Sequence, residues 1–282
     1  MFLLIEGSLR TVCSGVNMEK RRLFWANTNY FETWRLIIEG SDQSEIHEFD
    51  GILLTDCGQP FAFMNLVFVQ RPLEMAEASL DRILDHYKIR NLPAIICIPS
   101  GVGDATEALV LNLKHKPAAP HPGMTLFPIP LSPGKPVDLE IRPVVNDEEL
   151  MLFQATAEAG FNMPYSMPQR LLSPRFRDHP AVSMFVGYVG DDPVCTSCLV
   201  ITGPVAGIYW VSTLPEYRGR GYATAISWHA IKAGEMLGCD MATLQASAMG
   251  RPMYEKMGFK VTTDFQRYEI SPEDKTFIWR AR

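Results

Sequence analysis

The sequence predicts an α/β chain of the α+β kind, built as two domains, and two observations carry that prediction. From residue 137 onward the pattern runs helix, broken helix, three strands, helix, strand, short helix, strand, and the first half repeats that order in outline. Between the halves, Pro117, Pro120, Pro122, Pro128, Pro130, Pro133 and Pro136 crowd a stretch where helices end and connections stiffen. The boundary is placed near residues 132–136. This leaves residues 1–17 as a poorly defined extension, 18–131 as the first domain and 137–282 as the second.

In the second domain, Asn146-Asp147-Glu148-Glu149 has the form of a capping box that opens a helix to about Ala159. Prolines punctuate residues 163–174, a broken second helix. Residues 184–189, 194–202 and 206–213 read as a meander of strands divided by Gly190-Asp191-Asp192-Pro193 and Gly203-Pro204. Ala223, Ile226, Ala230, Ala233 and Leu237 then recur at helical spacing. A strand over 241–246, a short helix over 250–257 stopped by Gly258, and an edge strand over 265–270 complete the order. In the first domain, helices are expected over 28–39, 73–89 and 104–113. Its strands are expected within 51–69, with a turn at Gly58-Gln59-Pro60, and over 94–99 and 124–128.

Composition narrows the functions. The 282 residues are 47% hydrophobic, enough for a sizeable core, and a net charge of −6 argues against a broad nucleic-acid-binding face. No run approaches the roughly 20 apolar residues of a membrane span. Cys13, Cys57, Cys97, Cys195, Cys198 and Cys239 lack a disulfide cadence, so a reducing, cytoplasmic setting is expected. Cys195 and Cys198 have no second pair to complete a metal site and, three apart on a strand, point to opposite faces; no metal is expected.

The chemistry concentrates after the third strand of the meander, in Val211-Ser212-Thr213-Leu214-Pro215-Glu216-Tyr217-Arg218-Gly219-Arg220-Gly221-Tyr222-Ala223-Thr224. Gly219 and Gly221 let the backbone approach a ligand, and the amides of residues 218–223 converge on a helix N-terminus whose partial positive charge favours phosphate. Arg218 and Arg220 have two readings each, a phosphate contact or a solvated side chain. Some thirty residues on, Ser247-x-x-Gly250 precedes Tyr254-Glu255-Lys256-Met257-Gly258-Phe259.

The first segment resembles the acyl-CoA pyrophosphate loop of the GNAT superfamily of N-acetyltransferases, and the second resembles that family's tyrosine-bearing helix closed by Gly-Phe. The resemblance covers about half the chain. It implies a mixed, mostly antiparallel central sheet flanked by helices, here in two tandem copies. It also implies acetyl-CoA as co-substrate, a small-molecule or peptide amine as acceptor, and backbone pairing of Val211 and Thr213 with the pantetheine arm. Tyr254 becomes the expected donor of a proton to the departing thiolate. Ser247 either bonds the pantetheine or a water, or caps a helix. Many relatives carry a glutamate before the loop. Residues 207–214 hold none, so the general base stays open among Glu216, Glu158, Asp178, His179 and a water relay through Tyr209 or Ser212. The first domain has Val69-Gln70-Arg71-Pro72-Leu73 where the loop should be, which reads as a degenerate copy without a cradle. The alternatives are a longer-chain acyl-CoA:amino acid N-acyltransferase and an acyl-CoA sensor without catalysis. Oligomeric state cannot be read.

Overall fold

A computed structural model describes residues 18–41, 44–102, 116–117, 121–131, 137–163 and 167–271. The chain opens on helix α1 (Met18–Glu39), which begins ten residues earlier than expected. It continues through the hairpin β1 (Glu45–Phe49) and β2 (Ile52–Asp56), then β3 (Leu66–Val69), α2 (Ala76–Arg90) and β4 (Ala94–Pro99). The expected helix over 104–113 lies outside the described residues. Short β5 (Lys116–Pro117) and β6 (His121–Leu126) end the first half. The second half holds β7 (Glu140–Pro143), α3 (Asp147–Phe161), short α4 (Met167–Leu171) and α5 (Pro174–Arg177), and the meander β8 (Val182–Val189), β9 (Asp192–Thr202) and β10 (Val205–Thr213). Helix α6 (Tyr222–Met236), β11 (Met241–Gln245), α7 (Arg251–Lys256) and β12 (Lys260–Ile270) follow.

Local chemistry explains these boundaries. The Asn146 side chain accepts the amide of Glu149 at 2.9 Å, and Glu149 in turn accepts the amide of Val145 at 2.7 Å, so α3 starts where its orphan donors are satisfied. Its buried Leu150, Phe153 and Ala157 face the sheet at helical spacing. In α6, Ile226 and Ala230 bury as the period predicts, but Leu237 falls past the helix end and is 65% exposed. Cys195 and Cys198 lie in the cores on opposite faces of β9, both buried as free thiols, and desolvation raises both.

All the strands among the described residues join one sheet, in the order β1-β2-β3-β4-β12-β6-β11-β10-β9-β8-β7, with β5 paired to β12. Each half contains one parallel pair bridged by a helix, β3 with β4 across α2 and β10 with β11 across α6; the other pairings are antiparallel. The halves then exchange strands. First-half β6 adds to β11, and second-half β12 adds to β4. Residues 265–270, expected at an edge, therefore pair with residues 94–99 in the interior of the sheet, while residues 260–265 of the same strand pair with β6. Strand pairing does not divide at residues 132–136. Sequence could not show this, because either closing strand satisfies the local pattern and only long-range packing chooses between them.

Candidate functional site

The parallel pairing of β10 with β11 runs only from Val205–Met241 to Gly207–Thr243, although β10 continues to Thr213 and β11 to Gln245. Past Gly207 the two strands part, and the β11-facing edge of β10 is open over several residues. A bulge helps to turn it: between Tyr209 and Ser212 one extra residue enters β10 against β9, with Trp210 at φ 52°. The Thr196 hydroxyl donates to the displaced Trp210 carbonyl at 2.7 Å and lies 2.7 Å from the Ser212 hydroxyl. Ser212 is thus held on the α3 side, where Gly160 lets the helix approach; a Cβ there would meet Ser212 Oγ at 2.7 Å. Val211 packs on the opposite face, against the core under α6. Thr213 Oγ1 is buried at the strand end with no hydrogen-bond partner.

The loop after β10 ends at α6 with Gly219 at φ 76° and Gly221 at φ 87°, conformations that favour glycine. A Cβ on Gly219 would meet nothing within 4 Å, so the loop face is open. Tyr222 is buried and Ala223 and Thr224 complete the first turn, whose amides have no intrahelical acceptor. Neither an acidic residue nor a side-chain cap satisfies that N-terminus. The first half differs at the same point. The Asp50 carboxylate accepts the amides of Glu74 and Met75, each at 2.9 Å, and the Ser79 hydroxyl at 2.8 Å, so an internal anion fills the start of α2. These amides, then Ser79, lower the Asp50 pKa from its ordinary value.

Arg218 turns inward. Its Nε donates to the Thr213 carbonyl at 3.1 Å and its Nη2 to the Gly160 carbonyl at 2.7 Å, tying the end of β10 to the last turn of α3; its own amide bonds Pro215. Arg220 bonds the Glu216 carbonyl at 3.1 Å and lies over the Tyr217 ring. Ser247 Oγ accepts the Gly250 amide at 3.1 Å in the turn before α7, whose N-cap is Gly250 and has no side-chain cap. Tyr254 packs edge-on to Phe259 at 5.7 Å and is buried, which pushes its phenol well above the usual tyrosine range, with Ser227 beside it opposing the shift. Ser227 Oγ has no partner at hydrogen-bond length.

Of the residues considered for a base, Ser212 lies on β10 at the opening and Glu216 in the loop directly after it, while the others are engaged by neighbours of their own. Asp178 pairs with Arg177 at 2.7 Å, His179 Nδ1 accepts the Ala181 amide, and Glu158 accepts from Gln169 on the surface. Tyr209 donates to Asn29 Oδ1 at 2.7 Å, and Asn29 Nδ2 donates to the Val200 carbonyl. Asn29 was not foreseen. An asparagine on the apolar side of a helix was its one sequence signal, and Gly207 makes room for it, since a Cβ there would collide with Asn29 Oδ1.

No helix among the described residues is long and apolar enough to cross a membrane. Residues 151–259 match the model of the Acetyltransferase (GNAT) family. No curated protein sequence matches the chain. Among solved structures, the fold is similar to a GCN5-related N-acetyltransferase from Kribbella flavida, at 14% identity and a TM-score of 0.67 over 87% of this chain and 95% of that one. It is also similar to a tandem GNAT protein from the clavulanic acid biosynthesis pathway, at 10% identity and a TM-score of 0.58 over 87% and 94%. A GCN5-related N-acetyltransferase from Sphaerobacter thermophilus aligns at 16% identity and a TM-score of 0.59 over 79% and 77%. The opened strand pair, the glycine loop and the tyrosine helix all fall within the matched stretch, so residues 151–259 carry a GNAT-family acetyltransferase domain, in a chain whose fold is similar to that of a tandem GNAT protein.

Proposed function

We propose that the chain is an acetyl-CoA-dependent N-acetyltransferase that moves acetyl to a primary amine by direct attack on the thioester. The observation that carries this reading is the opening between β10 and β11 with an uncapped helix N-terminus at its mouth. The free edge of β10 at Val211 and Thr213 suits an extended amide-bearing arm as an added strand, and the orphaned Thr213 hydroxyl marks the same end. Amides from Gly219 to Thr224 form the anion cradle. Arg218 acts as a positioning residue, because its guanidinium holds strand and helix rather than facing the loop. Ser247 fixes the turn before α7, and Arg220 borders the cradle.

In the reaction the amine nitrogen bonds to the thioester carbon as the carbon–sulfur bond breaks. The nitrogen gives up a proton to water, and the thiolate takes one from the Tyr254 phenol, which solvent restores. Burial keeps that phenol protonated at neutral pH. The same desolvation raises the basicity of a thiolate left beside it, which favours the transfer. The five cysteines among the described residues are free, buried thiols, which suit a reducing compartment such as the cytoplasm.

Calorimetric titration of acetyl-CoA into the whole chain tests the cradle. One equivalent should bind, and Gly221→Glu should abolish binding, because a side chain and a negative charge would enter the cradle. Two equivalents, or unaltered binding by the variant, would remove the assignment.

A further inference from the structure

At the outer edge of the sheet, far from the opening, the fold gathers two histidines and a carboxylate. Glu45, His47 and Phe49 alternate along β1, the terminal strand of the sheet, and Asp56 and Leu54 stand opposite Glu45 and His47 on β2. Helix α2 packs on that face. Its Leu80, Ile83 and Leu84 share a core with Ile52 and Leu54, and its Arg82, His86 and Arg90 lie four apart along one side. One ligating atom from each of Glu45, His47 and His86 comes within 4.8 Å of the other two, and solvent reaches all three side chains. His47 and His86 are remote in sequence, so only the fold brings them together.

Their surroundings suit a metal ion. His47 Nε2 and Glu45 Oε2 are 3.1 Å apart, close to the roughly 3.3 Å between two ligands that each stand about 2.0–2.1 Å from one tetrahedral ion. Behind His86 is Asp56, whose side chain is fully buried and meets His86 Nε2 at 2.9 Å. Burial opposes ionisation of Asp56, but His86, the Gly58 amide and Arg90 hold its pKa below the ordinary value. An ionised carboxylate can only accept, so Nε2 donates and the lone pair of the neutral ring is left on Nδ1, the arrangement by which carboxylates orient metal-binding histidines. Arg90 takes Glu45 Oε1, which leaves Oε2 for the ion, and its charge is offset by the two carboxylates it bridges. A cavity of about 560 Å³ reaches both histidines, and Asp81 and Asp85 on its wall add negative charge. Arg82, also on that wall, lies over the Phe49 ring at 4.0 Å.

We infer that Glu45, His47 and His86 bind one divalent ion of the zinc class, with water in a fourth position facing the cavity, and that the ion clips edge strand β1 to α2. Two imidazoles and one carboxylate favour zinc, cobalt or nickel over calcium and magnesium, which prefer oxygen ligands alone. Six strand steps, roughly 30 Å at the usual spacing, separate β1 from β11, so the site is independent of the acyl-transfer reading.

Calorimetry on the whole protein, first stripped with a chelator, tests it with Zn²⁺, Co²⁺, Mg²⁺ and Ca²⁺ as probes. Zn²⁺ should bind at micromolar affinity or tighter, Mg²⁺ and Ca²⁺ by about a hundredfold or more less tightly, and bound Co²⁺ should show the intense visible bands of a low-coordinate site. His47→Gln, at the accessible edge, should weaken Zn²⁺ binding by more than about a hundredfold, because losing even an outer-shell partner costs roughly tenfold to a hundredfold. Zn²⁺ should raise the thermal midpoint of the parent protein and not that of the variant. Glu45→Gln should behave alike, and melting each variant without metal shows whether the substitution acts on folding instead. No Zn²⁺ binding, equal affinity for Mg²⁺ or Ca²⁺, or binding and a thermal shift that survive both substitutions overturns the inference.

Discussion

Tyr254 shows how much a single side chain is asked to do at this site. Its ring is part of the core under α6, so removing the whole side chain would confuse packing with chemistry. Tyr254→Phe keeps the ring and removes the proton. Turnover should fall by roughly a hundredfold to ten-thousandfold, the usual contribution of general acid–base catalysis, with little change in acetyl-CoA affinity. Initial rates and calorimetry on the same preparations check this, and unchanged turnover would leave the tyrosine a structural role only. Arg218 illustrates the opposite case. A loop arginine reads from sequence as a phosphate contact or a solvated side chain, but the Thr213 and Gly160 carbonyls lie within its reach and hold it. Which carbonyls surround a side chain is set by tertiary packing, so no local pattern could have shown it.

At the level of elements, the two helix N-termini that follow the parallel strands are the informative contrast. No side chain caps the first amides of helix α6, while Asp50 accepts those at the start of α2. That cap links stability to pH. The Asp50 pKa is lowered in the fold, so the carboxylate contributes stability above its unfolded value, near 3.8, and that contribution is lost as pH falls through the lower folded value. Asp50→Asn should therefore lose less stability on acidification between about pH 5 and pH 3 than the parent protein, read from denaturant midpoints. Equal acid sensitivity would mean the cap carries no linkage. The glycine loop, the capping box and the tyrosine helix were legible because their signals are local: left-handed glycines, a side chain three residues from its amide, a helix closed by Gly-Phe. The lack of a glycine loop at residues 69–73 was also legible. That Asp50 accepts the amides that follow was not, since that residue sits more than twenty positions upstream in what reads only as an Asp-Gly turn.

For the whole molecule, the exchanged strands join two halves that the sequence pattern separates. Element order gave the tandem arrangement, but strand partners are non-local and proline density marked a covalent connection rather than a division of the sheet. Expressed alone, residues 137–282 would lose β6 from the edge of β11 and leave β12 without β4. They should unfold without a cooperative transition, and co-expression with residues 18–131 should restore one; a cooperative melt of the isolated half would show that the exchange is dispensable. Tests of ligand binding accordingly belong to the intact chain. The most direct is amine-dependent release of free thiol from acetyl-CoA, compared between the intact protein and Gly221→Glu. The account predicts release that requires an amine and disappears in the variant; release that survives the substitution, or none with any amine although acetyl-CoA binds, would contradict it.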